Sequence, residues 1–230
     1  MCFLTSIYSL IVSGRLIVKR DAAATAINLL AHEAFFLSGT AALLISTAFY
    51  VGATLFVYEV LKPVNRSLSL LAAFFSLVGC AVGALSCLFD FAPFVLLKGA
   101  PYLSVFATDQ LQALAYVFLA IRVQANDIGL VFFGLHCLGV GYLIVRSIFL
   151  PRLVGALMLM AGFGWLTFLW PPLAQSLAPF NMLPGAVGEL SLTLWLLVKG
   201  VNVARWQEQA SAGAMVRRFE ATHQLTESLT

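Results

Sequence analysis

Long apolar runs alternate with short polar or proline-containing connections along this chain. About 20 apolar residues in helical form span the hydrocarbon core of a bilayer. In lipid the backbone N–H and C=O groups must be satisfied within each segment, which favours helices. We therefore predict an all-α transmembrane helix bundle of six spans, covering residues 1–18, 35–61, 67–91, 128–145, 153–170 and 184–203.

One further segment, residues 108–122, is too polar to cross a membrane on its own. Asp109, Gln110 and Gln112 interrupt it and leave too few apolar residues for a span. We expect this segment to form an amphipathic helix at the membrane surface, just before the fourth span.

A seven-span scheme is the alternative. If residues 108–122 do cross, only Lys62, Arg66 and Arg122 among the basic residues lie outside the cell, and the positive-inside rule favours this arrangement. We prefer six spans with both termini inside, because the polar side chains of the extra segment oppose its insertion.

Composition narrows the class of protein. The 230 residues are 61% hydrophobic and 10% charged, so a water-soluble fold would expose large apolar patches. The net charge of +3 is carried by scattered residues without a basic stripe, which argues against nucleic acid as a partner. We predict a single transmembrane domain over residues 1–203, a polar cytoplasmic tail over 204–230, and a multi-pass location in the cell membrane.

Small residues follow one face of several predicted spans. Gly79 and Gly83 lie four residues apart on the third span, and similar faces carry Gly134 with Gly141 on the fourth and Gly155 with Gly162 on the fifth. Such faces let helix backbones approach closely in lipid. They indicate packing within one bundle or, through Gly79 and Gly83, a homodimer or a contact with another membrane protein.

Ionisable residues inside apolar spans are costly and therefore informative. In the six-span topology, five of them gather in the outer half of the bundle. Two interpretations remain open: an interhelical hydrogen-bond knot, such as His136 with Glu189, or a site for a small ligand, a proton or a metal. The residues are His32, Glu33, Asp90, His136 and Glu189.

Motifs for enzymatic chemistry are absent from the sequence. His32-Glu33 is not followed by a second histidine at the spacing of an HExxH metalloprotease, and no nucleophile elbow, P-loop or dinucleotide fingerprint occurs. We expect no cofactor. Five basic residues would ring the cytoplasmic face, as positive-inside residues or as ligands of lipid phosphates: Lys62, Arg66, Arg146, Arg152 and Lys199.

Four stretches resemble the bacterial membrane family called domain of unknown function 4386. The resemblance implies a helical integral membrane protein of about six spans, and it implies no activity or catalytic residue. The stretches are DAAATAINLLAHE (21–33), LKPVNRSLSLLAAFF (61–75), DIGLVFFGLHCLGVGYLIVRSIFLPRLVGALMLMAGFG (127–164) and ELSLTLWLLVKGVN (189–202).

These observations favour a non-enzymatic membrane protein. We expect it to bind or move a small ligand, a lipid or a proton, or to support a membrane complex. The alternative is an intramembrane metal-dependent hydrolase that uses His32, Glu33, His136 and Glu189.

Overall fold

The computed structural model describes residues 2–212 and 215, with side chains from residue 7 onward, and the regular structure in this part of the chain is helical without strands. The predicted all-α class is confirmed. The α-helices are α1 (Cys2–Leu16), α2 (Ala22–Ala31), α3 (Glu33–Leu61), α4 (Arg66–Ser86), α5 (Leu88–Leu97), α6 (Thr108–Arg146), α7 (Arg152–Leu166), α8 (Pro171–Leu177), α9 (Leu183–Val198) and α10 (residues 203–212).

Five helical stretches are long and apolar enough to cross a membrane, and they correspond to the second to sixth predicted spans. The first predicted span corresponds to α1, whose 15 residues fall short of the roughly 20 that a crossing needs. The five stretches are Glu33–Leu61, Arg66–Leu97, Thr108–Arg146, Arg152–Leu169 and Phe180–Val198.

Helix α6 corrects the prediction for residues 108–122. The expected amphipathic helix and the expected fourth span form one continuous helix of 39 residues. Residues 122–128 contain neither proline nor glycine, so nothing in this sequence ends the helix there. The seven-span alternative needs a turn at this point and is therefore wrong.

Two helix boundaries follow the sequence signals. Asp21 precedes α2 in an extended conformation and accepts a hydrogen bond from Ala24 N at 2.8 Å, which makes it the N-cap. Helix α3 ends at Leu61, just before the turn that contains Pro63, and Asn65 caps α4 by accepting from Leu68 N at 2.9 Å.

The chain divides into two compact units, and α3, α4 and α6 contribute residues to both. Unit 1 comprises Met1–Ala53 and Leu77–Leu130, and unit 2 comprises Thr54–Ser76 and Val131–Thr230. The predicted division into a domain over 1–203 and a tail over 204–230 stays a prediction. Of that tail, only residues 204–212 and 215 belong to the described part of the chain.

Unit 1 buries an apolar core between its short and long helices. Phe36 of α3 packs against Phe94 of α5 with ring centroids 5.8 Å apart, and Leu29 of α2 and Leu119 of α6 complete the contact. Burial of such side chains contributes about 1.5–3 kcal/mol each. This core fixes α5 beside α3 and α6, which is the arrangement that the candidate site requires.

Unit 2 is held together by glycine contacts between α6 and α7. A methyl group on Gly141 would lie 2.8 Å from Gly155 O, and one on Gly162 would lie 2.9 Å from Gly134 O. Both distances are too short for a Cβ atom, so the two backbones touch where only glycine fits. The small faces predicted on these helices are thus used for packing within the chain.

Candidate functional site

The best-defined polar site of unit 1 is centred on Asp90. This side chain is 1% exposed, although it lies in an apolar helix. Its Oδ2 atom accepts a hydrogen bond from Thr40 Oγ1 at 2.9 Å, and its Oδ1 atom lies 2.7 Å from Arg122 Nε. Three helices, α3, α5 and α6, therefore each contribute one polar side chain to the same buried point.

A break in the helix positions Asp90. Helices α4 and α5 are separated at Cys87, where the backbone makes short-range hydrogen bonds from Cys87 N to Ala84 O (3.2 Å) and from Asp90 N to Cys87 O (3.1 Å). Pro93 follows within α5 and lacks a backbone N–H. Asp90 thus lies in the first turn of a new helix, where the helix dipole favours a negative charge.

Arg122 is the more accessible partner of the pair. Its side chain is 14% exposed, against 1% for Asp90. Its Nε atom and the Oδ1 atom of Asp90 form a short ion pair, and both atoms are buried. A guanidinium carries five N–H donors, and this contact engages one nitrogen. The remaining N–H groups of Arg122 are therefore available to a further acceptor, beside the Asp90 carboxylate that Thr40 holds in place.

A buried ion pair of this kind is not a strong stabilising element. Desolvation of two charges offsets most of their attraction, so the pair contributes little net stability while each charge depends on the other. Ionisable residues in apolar spans commonly mark ligand or ion sites. Discontinuous helices are also a feature of binding sites in membrane transporters. The chemistry available here is charge-assisted binding of a small polar group.

The other predicted site residues of unit 1 lie elsewhere in it. Glu33 begins α3 and forms an ion pair with Lys98 at 2.7 Å, on a partly exposed surface. His32 is the C-cap of α2 and is exposed, with Nδ1 3.2 Å from Asn28 O. Of the three predicted residues in this unit, Asp90 is the one that meets an opposite charge inside the fold.

His136 and Glu189 belong to unit 2. His136 is buried, and its Nδ1 atom lies 2.9 Å from Ala72 O, so Nδ1 donates to this carbonyl and ties α6 to α4. Glu189 Oε1 accepts a hydrogen bond from Trp165 Nε1 at 3.1 Å, which ties α9 to α7. Both contacts join helices, as expected of hydrogen-bond knots, but with Ala72 and Trp165 as partners. The predicted contact between His136 and Glu189 stays a prediction.

Metal ligation was part of the alternative hypothesis. Among residues 2–212 and 215, no three His, Cys, Asp or Glu side chains are grouped so that they could hold a metal ion. The five predicted residues are also divided between the two units. The metal-dependent hydrolase therefore has no ligand set in the described part of the chain.

The five basic residues predicted at lipid phosphates all belong to unit 2, at the ends of its helices. Lys62 is half-buried and pairs with Glu59 on the same helix turn. Arg66 starts α4 and is exposed, and so are the remaining three: Arg146, Arg152 and Lys199. That these residues bind lipid phosphates stays a prediction.

Part of the predicted homodimer face, which contains Gly79 and Gly83, packs against helix α6 of the same chain. A methyl group on Gly129 of α6 would lie 3.3 Å from Gly79 O and 3.8 Å from Gly83 N, all within unit 1. Gly79 is buried and Gly83 is half-buried. Dimerisation through this face stays a prediction.

Sequence reasoning missed Arg122 and Thr40. Arg122 was placed at the end of a surface helix because the polar residues before it suggested one. A signal was present: Ala115, Leu119 and Arg122 follow a helical i, i+4, i+7 spacing, and the first two are buried. Thr40 carries no comparable signal, since a threonine in an apolar helix usually bonds its own backbone.

Comparison with known proteins establishes the family. A family model described as "Domain of unknown function (DUF4386)" matches residues 1–200. The chain belongs to this family. The resemblance predicted from the four sequence stretches is therefore confirmed, and the match extends over all the helices up to α9.

One relative of the chain is an uncharacterised protein from Archaeoglobus fulgidus. The two are 24% identical over 147 residues, which cover 62% of this chain and 72% of the relative. No solved structure matches the chain.

Proposed function

We propose that this chain is a multi-pass, non-enzymatic protein of the cell membrane that binds a small anionic ligand through Arg122, with Asp90 as internal counter-ion. The observation that carries the proposal is the ion pair between these residues, buried in apolar helices and more accessible from the arginine side. A ligand that complements the accessible charge is an anion.

The outer surface of the helices supports the membrane location. Large apolar side chains are exposed along them, including Phe56 at 77% and Leu197 at 78%. So many exposed apolar side chains would promote association in water but are compatible with acyl chains. The basic helix ends of unit 2 would then face the cytoplasm, by the positive-inside rule.

The ligand class follows from guanidinium chemistry. Arginine binds carboxylates and other oxyanions through parallel N–H donors, and such bonds are stronger than neutral ones. Without ligand, Asp90 balances the charge of Arg122. With ligand, the anion would bind the guanidinium nitrogens that Asp90 does not contact, and Thr40 would continue to hold Oδ2 of Asp90.

Acetate is a suitable probe, because it presents a carboxylate and little else. The full chain in detergent is heated at constant ionic strength while acetate replaces chloride. We expect saturable stabilisation of the wild type, none for Arg122→Gln, and a larger response for Asp90→Asn, which has lost its internal counter-ion. A general loss of stability would change the acetate response of both variants in the same direction. Binding at Arg122 instead abolishes the response in Arg122→Gln and increases it in Asp90→Asn.

Lys98→Gln is the matched control, since Lys98 forms the exposed ion pair of the same unit with Glu33. It should respond to acetate as the wild type does. If wild type, Arg122→Gln and Asp90→Asn all show the same response to acetate, the pair has only a structural role and the proposed function loses its site.

A further inference from the structure

A second polar feature lies in unit 2, at the helix ends that carry the basic residues. A pocket of about 370 Å³ opens where the end of α3, the start of α4 and α10 meet. This volume is within the range of small-molecule sites, roughly 300–1,000 Å³. Its lining residues are Tyr58, Lys62, Pro63, Arg66, Trp206 and Ala210.

Helix α10 is docked, so the pocket has a fixed wall. Trp206 Nε1 donates to Val60 O at 2.9 Å, and Gln209 Oε1 accepts from Ile148 N at 3.1 Å. Arg205 adds a bond from its guanidinium to Ile148 O at 3.3 Å. These contacts hold the Trp206 ring over the connection between α3 and α4.

The charges in the pocket are positive and incompletely compensated. Lys62 pairs with Glu59, but within residues 2–212 and 215 no salt bridge involves Arg66. Arg66 also begins α4, where the positive end of the helix dipole adds to its charge. Two cations beside an aromatic wall are suited to a phosphate group, which arginine binds through parallel N–H donors.

The position of the pocket favours a lipid as the source of that phosphate. Tryptophan and basic side chains at the ends of membrane-crossing helices lie at headgroup depth, and the cytoplasmic leaflet carries anionic lipid. We infer that Lys62 and Arg66 bind the phosphate group of an anionic phospholipid in this pocket, against Trp206. This site is in a different unit from Asp90 and Arg122 and does not depend on the function proposed for them.

The test titrates the full chain in detergent with short-chain phosphatidylglycerol and, in a separate arm, with inorganic phosphate. Tryptophan fluorescence reports binding, because Trp206 lines the pocket. We expect saturable binding of phosphatidylglycerol, weakened by about tenfold or more in Lys62→Gln/Arg66→Gln. The control Arg15→Gln/Lys19→Gln removes two exposed charges of unit 1 and should change affinity by no more than about twofold.

Each outcome has one meaning. Equal weakening in both double variants, or no saturable binding, overturns the site, because general attraction of charges then explains the data. Saturation by inorganic phosphate alone, lost in Lys62→Gln/Arg66→Gln, supports the phosphate site and overturns the lipid as its source. The acetate response of Lys62→Gln/Arg66→Gln should match that of the wild type, which separates this inference from the proposed function.

Discussion

Arg122 Nε of helix α6 lies 2.7 Å from Asp90 Oδ1 of helix α5, and Thr40 holds the other carboxylate oxygen. The relationship joins three helices of one unit through charge in an apolar environment. The helix break between α4 and α5 places Asp90 in the first turn of α5, where it meets the side chains of Thr40 and Arg122. The ion pair makes each charge dependent on the other.

Removing one charge of the pair should destabilise the fold more than removing both. Asp90→Asn or Arg122→Gln leaves an uncompensated buried charge, at a cost of about 3–5 kcal/mol in the free energy of unfolding. The double variant should recover most of this loss. Unfolding in denaturant, in a fixed detergent, measures all four proteins. Additive losses would show that the two side chains are not coupled.

Glycine contacts between α6 and α7 should not tolerate a methyl group. In Gly141→Ala the new Cβ would lie 2.7 Å from Leu159 N, and the helices must separate, at about 1–3 kcal/mol. Gly83→Ala is the control, because nothing lies within 4 Å of a Cβ there. It should be neutral or stabilising by up to about 1 kcal/mol. Thermal unfolding compares the two, and equal losses would contradict close packing.

His136 should stabilise the fold through the hydrogen bond that its Nδ1 donates to Ala72 O, and not through a positive charge. His136→Phe keeps a ring but removes the bond to Ala72 O, and we expect a loss of about 1–3 kcal/mol. His136→Asn retains an N–H donor and should recover part of the loss. The acetate response of unit 1 should stay unchanged in both variants. A lost acetate response with normal stability would instead assign His136 to ligand binding.

Glu189 should stabilise unit 2 through Trp165. Glu189→Gln retains an oxygen that can accept from Trp165 Nε1, whereas Glu189→Leu does not, so the leucine variant should be less stable by about 1 kcal/mol. In a Trp165→Phe background this difference should disappear, which a double-mutant cycle by chemical unfolding measures. A difference that persists would place the role of Glu189 elsewhere.

Much of the fold could be predicted from local signals. The apolar runs indicated the membrane helices, Pro63 marked the end of α3, and Asp21 is the N-cap of α2. These features depend on residues close together in sequence. The continuity of α6 was missed because polar residues at its start suggested a separate surface helix, whereas only a helix breaker would have ended it.

The site was predicted in part. Asp90 was selected because a carboxylate beside an apolar run is costly unless it has a partner, and in the structure its partners are Arg122 and Thr40. Its partner could not be chosen from sequence, because residues 90 and 122 meet only after α5 packs against α6. The contacts of His136 with a backbone carbonyl and of Glu189 with an indole likewise depend on tertiary packing.

The most direct measurement is equilibrium binding of radiolabelled acetate to the purified full chain in phosphatidylcholine nanodiscs. The proposed function predicts one saturable site per chain in the wild type and in Lys98→Gln, and no specific binding in Arg122→Gln or in Asp90→Asn/Arg122→Gln. Undiminished binding without the arginine, or none in any folded variant including Asp90→Asn, would contradict it.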